Sequence, residues 1–190
     1  MKRILAALIL NLAFITVTAQ QKKCEYDFEE KTDSTFLKKT PDYLIHEKDF
    51  ISSKEFVLFS LINSNGTPFL NFQLLQKSKD FIKPFCFDNK SKISLQLSNG
   101  KIVTLLSAGE ICSQLMFDEK EKNNIRLLNN YFFFPKEGFE DLKKYPVSLI
   151  KINFVTESMD YVFKKQIQSV TFKGDFFPEN YFINYLNCVE

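Results

Sequence analysis

The sequence predicts a mainly β protein of the α+β class, built from antiparallel strands as a sandwich or as a curved, barrel-like sheet. Two Asn-Gly dipeptides, at positions 65–66 and 99–100, each separate two runs of alternating apolar residues, which is the strongest short-range signal for a β-hairpin. Further short apolar runs follow at the spacing of an all-β domain. Pro178 then opens an apolar segment, so we expect one or two short helices, including one at the C-terminus.

The chain begins with the pattern of a secretory signal peptide. Lys2 and Arg3 precede an apolar run over residues 4–17 and a Val-Thr-Ala sequence that ends at Ala19. A membrane anchor is the alternative, but this run is shorter than the ~20 apolar residues that a spanning helix needs. The order of basic, apolar and small residues is that of a cleaved signal, so we expect residues 1–19 to be removed.

The mature chain is expected to be one β-rich domain over residues 20–190, because no linker rich in Pro, Gly or Ser divides it. Cys24 follows Gln and Lys rather than the small residues of a lipoprotein signal, so we expect no lipid anchor. Of the 25 Lys and Arg residues, two leave with the signal, and the remainder balances the 23 Asp and Glu residues. Without a basic field, nucleic acid is not an expected partner. We predict export to the periplasm or secretion, with no membrane span in the mature chain.

The clearest hairpin covers residues 56–75. A two-residue turn at the first Asn-Gly sets Val57 opposite Leu74 and Phe59 opposite Phe72, so one face is wholly apolar and is predicted to be buried. The other face mixes polar and apolar side chains and is expected to be half covered.

A second hairpin is predicted over residues 92–106, and its register bears on the four cysteines. A two-residue turn at the second Asn-Gly would leave Cys86 and Cys112 one position out of register, which a single β-bulge would correct. We therefore predict the disulfide Cys86–Cys112, which leaves Cys24 to pair with Cys188. Free thiols remain an alternative; a zinc site would need Cys or His at short spacing, which the chain lacks.

The remaining elements complete a predicted total of about eight to ten strands. A short helix is expected over residues 136–144, where the Tyr145-Pro146 step ends it. Further strands are expected over residues 25–28, 43–50, 115–117, 125–134, 147–156, 160–164 and 167–172.

The sequence offers no catalytic constellation, so we expect a non-enzymatic protein without metal or cofactor. His46 is the only histidine, and no G-x-S-x-G accompanies it. A secreted hydrolase that uses carboxylates is the rival interpretation, since a glycosidase needs two convergent carboxyl groups. Its candidates are Asp118, Glu119 and Glu121 in one charged loop, and Glu157 and Asp160 at a turn.

Several segments resemble a group of small, uncharacterised exported bacterial proteins. They are residues 156–162, residues 177–182, the C-terminal residues 186–190, and Cys86-Phe87-Asp88 followed by Lys92-Ile93-Ser94-Leu95 and an Asn-Gly turn. The resemblance covers most of the mature chain. It implies export from a Gram-negative cell with the cysteines as part of the scaffold, and it assigns no activity.

The expected function is to bind a partner or to serve the cell envelope structurally, and the partner is an unknown protein or a small hydrophobic ligand. The candidate binding surface is the aromatic segment Tyr131, Phe132, Phe133 and Phe134, because exposed aromatic surface marks such sites. The half-apolar face of the first hairpin is a second candidate. A carrier of a small hydrophobic ligand would instead hold it in an enclosed apolar cavity.

Overall fold

The computed structural model describes residues 23–190, so the predicted signal peptide lies outside the described residues. Within that range the protein is mainly β and antiparallel, which confirms the predicted class. The strands number fifteen rather than eight to ten, because several are too short to show alternation in the sequence. They are β1 (Phe28–Lys31), β2 (Phe36–Lys39), β3 (Tyr43–Asp49), β4 (Ser53–Ser64), β5 (Thr67–Ser78), β6 (Cys86–Phe87), β7 (Lys92–Leu97), β8 (Ile102–Ser107), β9 (Ile111–Cys112), β10 (Gln114–Asp118), β11 (Asn123–Phe133), β12 (Val147–Asn153), β13 (Ser158–Val162), β14 (Ile167–Ser169) and β15 (Gly174–Phe176).

One sheet contains eleven of these strands. Its main path runs β1-β2-β4-β5-β11-β8-β7-β12-β13, while β3 pairs with β4 and β10 pairs with β11 beside that path. Because β1 and β13 at the two ends do not pair with each other, the sheet is open. Two small sheets, β14–β15 and β6–β9, do not pair with its strands. The described strands therefore do not close into a barrel.

The inner face of the sheet surrounds a single aromatic core. Side chains from β4, β5, β7, β8, β11, β12 and β13 belong to one cluster of buried residues, so the sheet must curve around them. Phe72 lies at the centre, with its ring 6.2 Å from Phe59 and 6.2 Å from Phe132. Each such fully buried side chain contributes about 1.5–3 kcal/mol relative to an exposed one.

The predicted C-terminal helix is present, and it packs on this core. Helix α2 (Tyr181–Tyr185) follows a 3₁₀ turn that Pro178 opens, and a second 3₁₀ turn over Leu186–Val189 ends the chain. Tyr181 and Phe182 are each 1% exposed, and their rings lie 5.7 and 6.0 Å from Phe59.

The first hairpin has the predicted register, with Val57 paired to Leu74 and Phe59 to Phe72. Asn65 and Gly66 both have positive φ, 51° and 83°, as a two-residue type I′ turn requires. The turn is also anchored to β2, because the Asn65 Oδ1 accepts the Phe36 N–H at 2.8 Å.

The register predicted for the second hairpin is wrong by one residue. Leu95 pairs with Val103, and the turn has a three-residue loop over residues 98–100. The Gly100 N–H donates to the Leu97 carbonyl at 2.9 Å, and the Leu97 N–H donates to the Lys101 carbonyl at 2.8 Å. Gly100 has φ 84°, so the loop is a type I turn followed by a glycine in the left-handed region.

This shift of one position exchanges the two faces of β8. Val103 and Leu105 are buried, at 3% and 0% exposed, whereas Ile102 and Leu106 are 65% and 57% exposed. The same shift removes the need for the predicted β-bulge, because Cys86 and Cys112 now pair directly across β6 and β9.

Both disulfides are present with the predicted pairing. Cys86 is bonded to Cys112 with their Cα atoms 4.0 Å apart, and Cys24 is bonded to Cys188 at 5.5 Å. The second bridge spans 164 positions and ties the start of the described chain to its end. The Tyr26 hydroxyl reinforces this closure by donating to the Cys188 carbonyl at 2.8 Å.

The helix predicted over residues 136–144 is shorter than expected. Helix α1 covers only Phe139–Leu142, because Gly138 immediately before it has φ 88° and cannot belong to a right-handed helix. Leu142 is fully buried in the main core.

Candidate functional site

The aromatic segment that the sequence singled out is divided between the two faces of β11. Tyr131 and Phe133 are 46% and 43% exposed on the outer face, whereas Phe132 is fully buried in the core. Phe134 is half-buried, with its ring 5.4 Å from Phe139. Because side chains alternate along a strand, Tyr131 and Phe133 contribute to an exposed surface of β11, whereas Phe132 does not.

The half-apolar face of the first hairpin is the outer face of β4 and β5, and one end of it is covered. Phe56 and Leu58 form a small second core there with Leu44 and Ile167. The Phe56 ring lies 5.2 Å from that of Phe172, in the turn between β14 and β15. The β14–β15 hairpin therefore covers this end of the outer face.

The other end of the same face is open and forms an apolar cleft. Ile62 on β4 pairs with Phe69 on β5, which pairs with Phe133 on β11. The rings of Phe69 and Phe133 are 4.9 Å apart. The structure thus brings the two predicted surfaces together at one place. The cleft has a volume of about 280 Å³, opens to solvent, and is lined by Leu37, Ile62, Ser64, Phe69, Ala108 and Tyr131.

A row of polar side chains separates the covered end from the open cleft, and it consists of Asp42, Ser60, Asn71 and Gln73. Asn71, opposite Tyr131, is 2% exposed and donates from Nδ2 to the Ser60 Oγ at 3.0 Å. Burial alone would raise the pKa of Asp42, but hydrogen bonds with Lys39, Gln73 and Ser60 outweigh it and lower that pKa. The row therefore includes an ionised carboxylate.

His46 lies away from this face and has a structural environment. Its ring is 4.6 Å from that of Tyr161, whose hydroxyl donates to the Glu55 Oε1 at 3.2 Å. Burial lowers the pKa of His46, and burial together with Glu55 raises the pKa of Tyr161, so both are neutral at pH 7. The His46 Nε2 is buried without a hydrogen-bond partner among residues 23–190.

The carboxylates that a hydrolase would use are engaged in turns and exposed ion pairs. Asp118 accepts the backbone N–H groups of Lys120 and Glu121 at 2.9 and 3.3 Å. The other four candidates pair with lysines: Glu119 with Lys122, Glu121 with Lys77, Glu157 with Lys83, and Asp160 with Lys151. Exposed pairs of this kind are typical of a solvated surface.

Residues 23–190 contain no group of three or more His, Cys, Asp or Glu side chains that could hold a metal ion. In the same range no helix is long and apolar enough to cross a bilayer. Comparisons with protein-family models, with curated proteins and with solved structures found no match. The apolar cleft is therefore the candidate functional site on physical grounds alone.

Two walls of the cleft were not predicted from the sequence. Leu37 comes from β2, which shows no alternation, and Ala108 follows β8 in the chain. Their positions depend on the pairing of β2 with β4 and on the hydrogen bond from the Ala108 N–H to the Tyr131 carbonyl at 2.8 Å. Both contacts are long-range, so no local pattern signals them.

Proposed function

We propose that the protein is an exported, non-enzymatic binding module of the cell envelope that holds an apolar side chain of a protein partner in the cleft beside Tyr131. The observation that carries the proposal is the open cleft, in which aromatic and aliphatic side chains from β2, β4, β5, β11 and the segment after β8 converge, with Tyr131 and Ala108 exposed at its rim. Exposed apolar surface at one place on a folded domain is typical of an interaction site.

The openness of the cleft favours a protein over a small ligand. Small-ligand sites enclose most of the ligand surface, whereas this cleft lies on the outer face and continues onto exposed apolar neighbours. Phe133 is 43% exposed and pairs with Leu106, which is 57% exposed. Aromatic residues at such a surface are typical of the centre of protein interfaces.

A carrier of a small hydrophobic ligand is the second candidate, and the cleft volume supports it. Its volume of about 280 Å³ is just short of the roughly 300–1,000 Å³ that small-ligand sites occupy. The inner core offers less support, because aromatic contacts fill it: the Phe87 ring lies 5.1 Å from Phe132 and 4.9 Å from Phe154.

Export is supported by the two disulfides together with the signal-like N-terminus. Disulfides persist in oxidising compartments and are rare in the cytosol. The balanced charge of the mature chain is in keeping with a partner that is recognised through apolar contacts. The resemblance to small exported bacterial proteins stays a prediction.

The test is site-specific photocrosslinking in the producing cell. The photoreactive residue p-benzoylphenylalanine replaces Tyr131 in one variant and Val162 in the control. Val162 is also apolar and is 67% exposed, but it lies on β13 at the far end of the sheet. The adducts are analysed by denaturing electrophoresis and intact-mass spectrometry.

The proposal predicts one adduct of discrete protein mass at position 131, which is absent at position 162 and is competed away by excess unmodified protein. An adduct whose added mass is that of a small molecule would replace the proposal with the carrier. Equal adducts at both positions, or none at position 131, would refute binding at the cleft.

A further inference from the structure

A second surface, separate from the cleft, lies at the free edge of β10. Among residues 23–190, four strands of the main sheet pair with one neighbour only: β1, β3, β10 and β13. A free edge presents unpaired backbone N–H and C=O groups to another strand, and proteins usually protect it with charge, proline or a bulge.

Three of these edges carry charge along the strand. Glu29 and Glu30 occupy the centre of β1, Glu47 and Lys48 lie within β3, and Asp160 is at the centre of β13. A charged strand centre opposes edge-to-edge pairing, because the charge would be desolvated on contact.

The edge of β10 has no such protection. Its centre is Leu115, Met116 and Phe117, which are 50%, 46% and 52% exposed. The strand contains no proline, and its pairing with β11 is continuous and without a bulge. All the backbone hydrogen bonds of Gln114–Asp118 in the described chain are with β11.

The apolar surface continues beyond the strand on one face. Leu115 pairs with Arg126 and Phe117 with Asn124, so these two side chains share the face on which Arg126 lies. The Phe81 ring, 76% exposed, lies 5.7 Å from the Arg126 guanidinium. Phe81, Leu115 and Phe117, called the Phe81 group below, are thus all exposed on the Arg126 side of the sheet near the free edge.

We propose that β10 pairs antiparallel with β10 of a second copy of this chain, on a two-fold axis at Met116. In that register Leu115 of each copy lies opposite Phe117 of the other, and Met116 meets Met116. Gln114 lies opposite Asp118, so no like charges meet. In this register the inner faces of the two sheets lie on the same side of the combined sheet. The Phe81 groups of the two copies then form one continuous apolar surface.

Neighbouring registers are less favourable for identifiable reasons. A shift that centres the axis on Leu115 sets Gln114 opposite Met116, and a shift that centres it on Phe117 sets Asp118 opposite Met116, so each places a polar side chain against an apolar one. A shift that centres the axis on Asp118 brings the two carboxylates together. A shift by an odd number of positions joins the inner face of one sheet to the outer face of the other. The pattern of β10 is thus self-complementary in one register, as a two-fold interface requires.

The test measures the oligomeric state of the oxidised mature chain, residues 20–190, by sedimentation equilibrium. The protein concentration runs from about 1 μM to 1 mM, because a small interface gives a weak dimer. The wild type is compared with Met116→Lys, which places two lysines at the axis. Val162→Lys is the matched control, because Val162 is also an exposed apolar residue on an edge strand. A third variant, Gln114→Lys, places a lysine opposite the Asp118 of the other copy.

The proposal predicts a concentration-dependent dimer for the wild type and for Val162→Lys, and a monomer for Met116→Lys with unchanged circular dichroism. Gln114→Lys should tighten the dimer about two- to thirty-fold through two cross-strand ion pairs, and salt should remove that gain. A wild-type monomer over the whole range, open-ended larger assemblies, or a dimer that persists in Met116→Lys would overturn the proposal. No tightening by Gln114→Lys would overturn the register. Because Tyr131 lies at the other end of β11, these results are independent of binding at the cleft.

Discussion

The register of the second hairpin can be tested with two neighbouring leucines of β8. Leu105 is 0% exposed and Leu106 is 57% exposed, so the same substitution to Ala probes opposite faces of one strand. Leu→Ala removes three carbons at about 0.8 kcal/mol each when fully buried, and the cavity left behind adds to this loss. We therefore expect Leu105→Ala to cost about 3 kcal/mol and Leu106→Ala less than about 1 kcal/mol.

The assay is equilibrium unfolding in urea of the oxidised protein, fitted as a two-state transition with a common slope. Each variant is the control for the other, because the substitution, the strand and the chemistry are the same. A loss for Leu106→Ala that equals or exceeds the loss for Leu105→Ala would refute the observed register. That result is the one that a two-residue turn at residues 99–100 would have produced.

Three other changes have results that follow from the structure. Gly138→Ala should destabilise the protein more than Gly66→Ala in the same urea assay, although both glycines have positive φ: a Cβ at Gly138 would lie 2.8 Å from a side-chain atom of β8, whereas at Gly66 nothing lies within 4 Å. Replacing Cys24 and Cys188 together by Ser should lower the free energy of unfolding by up to about 5 kcal/mol, by the loop-entropy relation. At this chain length each kcal/mol shifts the Tm by several degrees. A variant whose Tm stays within about 2 °C of wild type would therefore contradict a structural role for this disulfide. Because burial lowers the pKa of His46 in the folded state, the unfolded chain binds more protons below about pH 6.5. Stability should therefore fall as the pH drops from about 7.5 to 5.5; His46→Gln should flatten that fall, and an unchanged slope would contradict the assignment.

The first hairpin was predictable because its signals agree. The apolar alternation of both strands and the turn dipeptide specify the same register, and the buried face leaves no room for a slip. The second hairpin has the same dipeptide and a different turn. Asn65 is held by β2 through the Phe36 N–H, whereas the Ser98 N–H donates to the Pro146 carbonyl at 2.8 Å. Such long-range contacts distinguish the turns and are invisible in a local pattern.

The sequence predicted only part of the candidate site, again because long-range contacts complete it. Alternation along β11 places Tyr131 and Phe133 on one face and Phe132 on the other, which a continuous aromatic run does not reveal until the strand is placed in the sheet. The hairpin β14–β15 packs over one end of the outer face, and Leu37 and Ala108 line the other end. These contacts join segments that are far apart in the sequence, so a short stretch of sequence does not predict them.

A charge placed inside the cleft beside Tyr131 tests whether a partner occupies that cleft. Ile62 lines the cleft and is half-buried, so Ile62→Lys would set an unpaired charge against the bound apolar side chain. The measurement is the yield of the photocrosslinked adduct at position 131 with and without Ile62→Lys. The unfolding midpoint of each protein is measured as well, so that a loss of adduct is not due to unfolding. If an apolar side chain of a partner fills the cleft, Ile62→Lys should reduce the adduct at least roughly tenfold. An unchanged yield from a folded variant would show that the cleft is not the binding site.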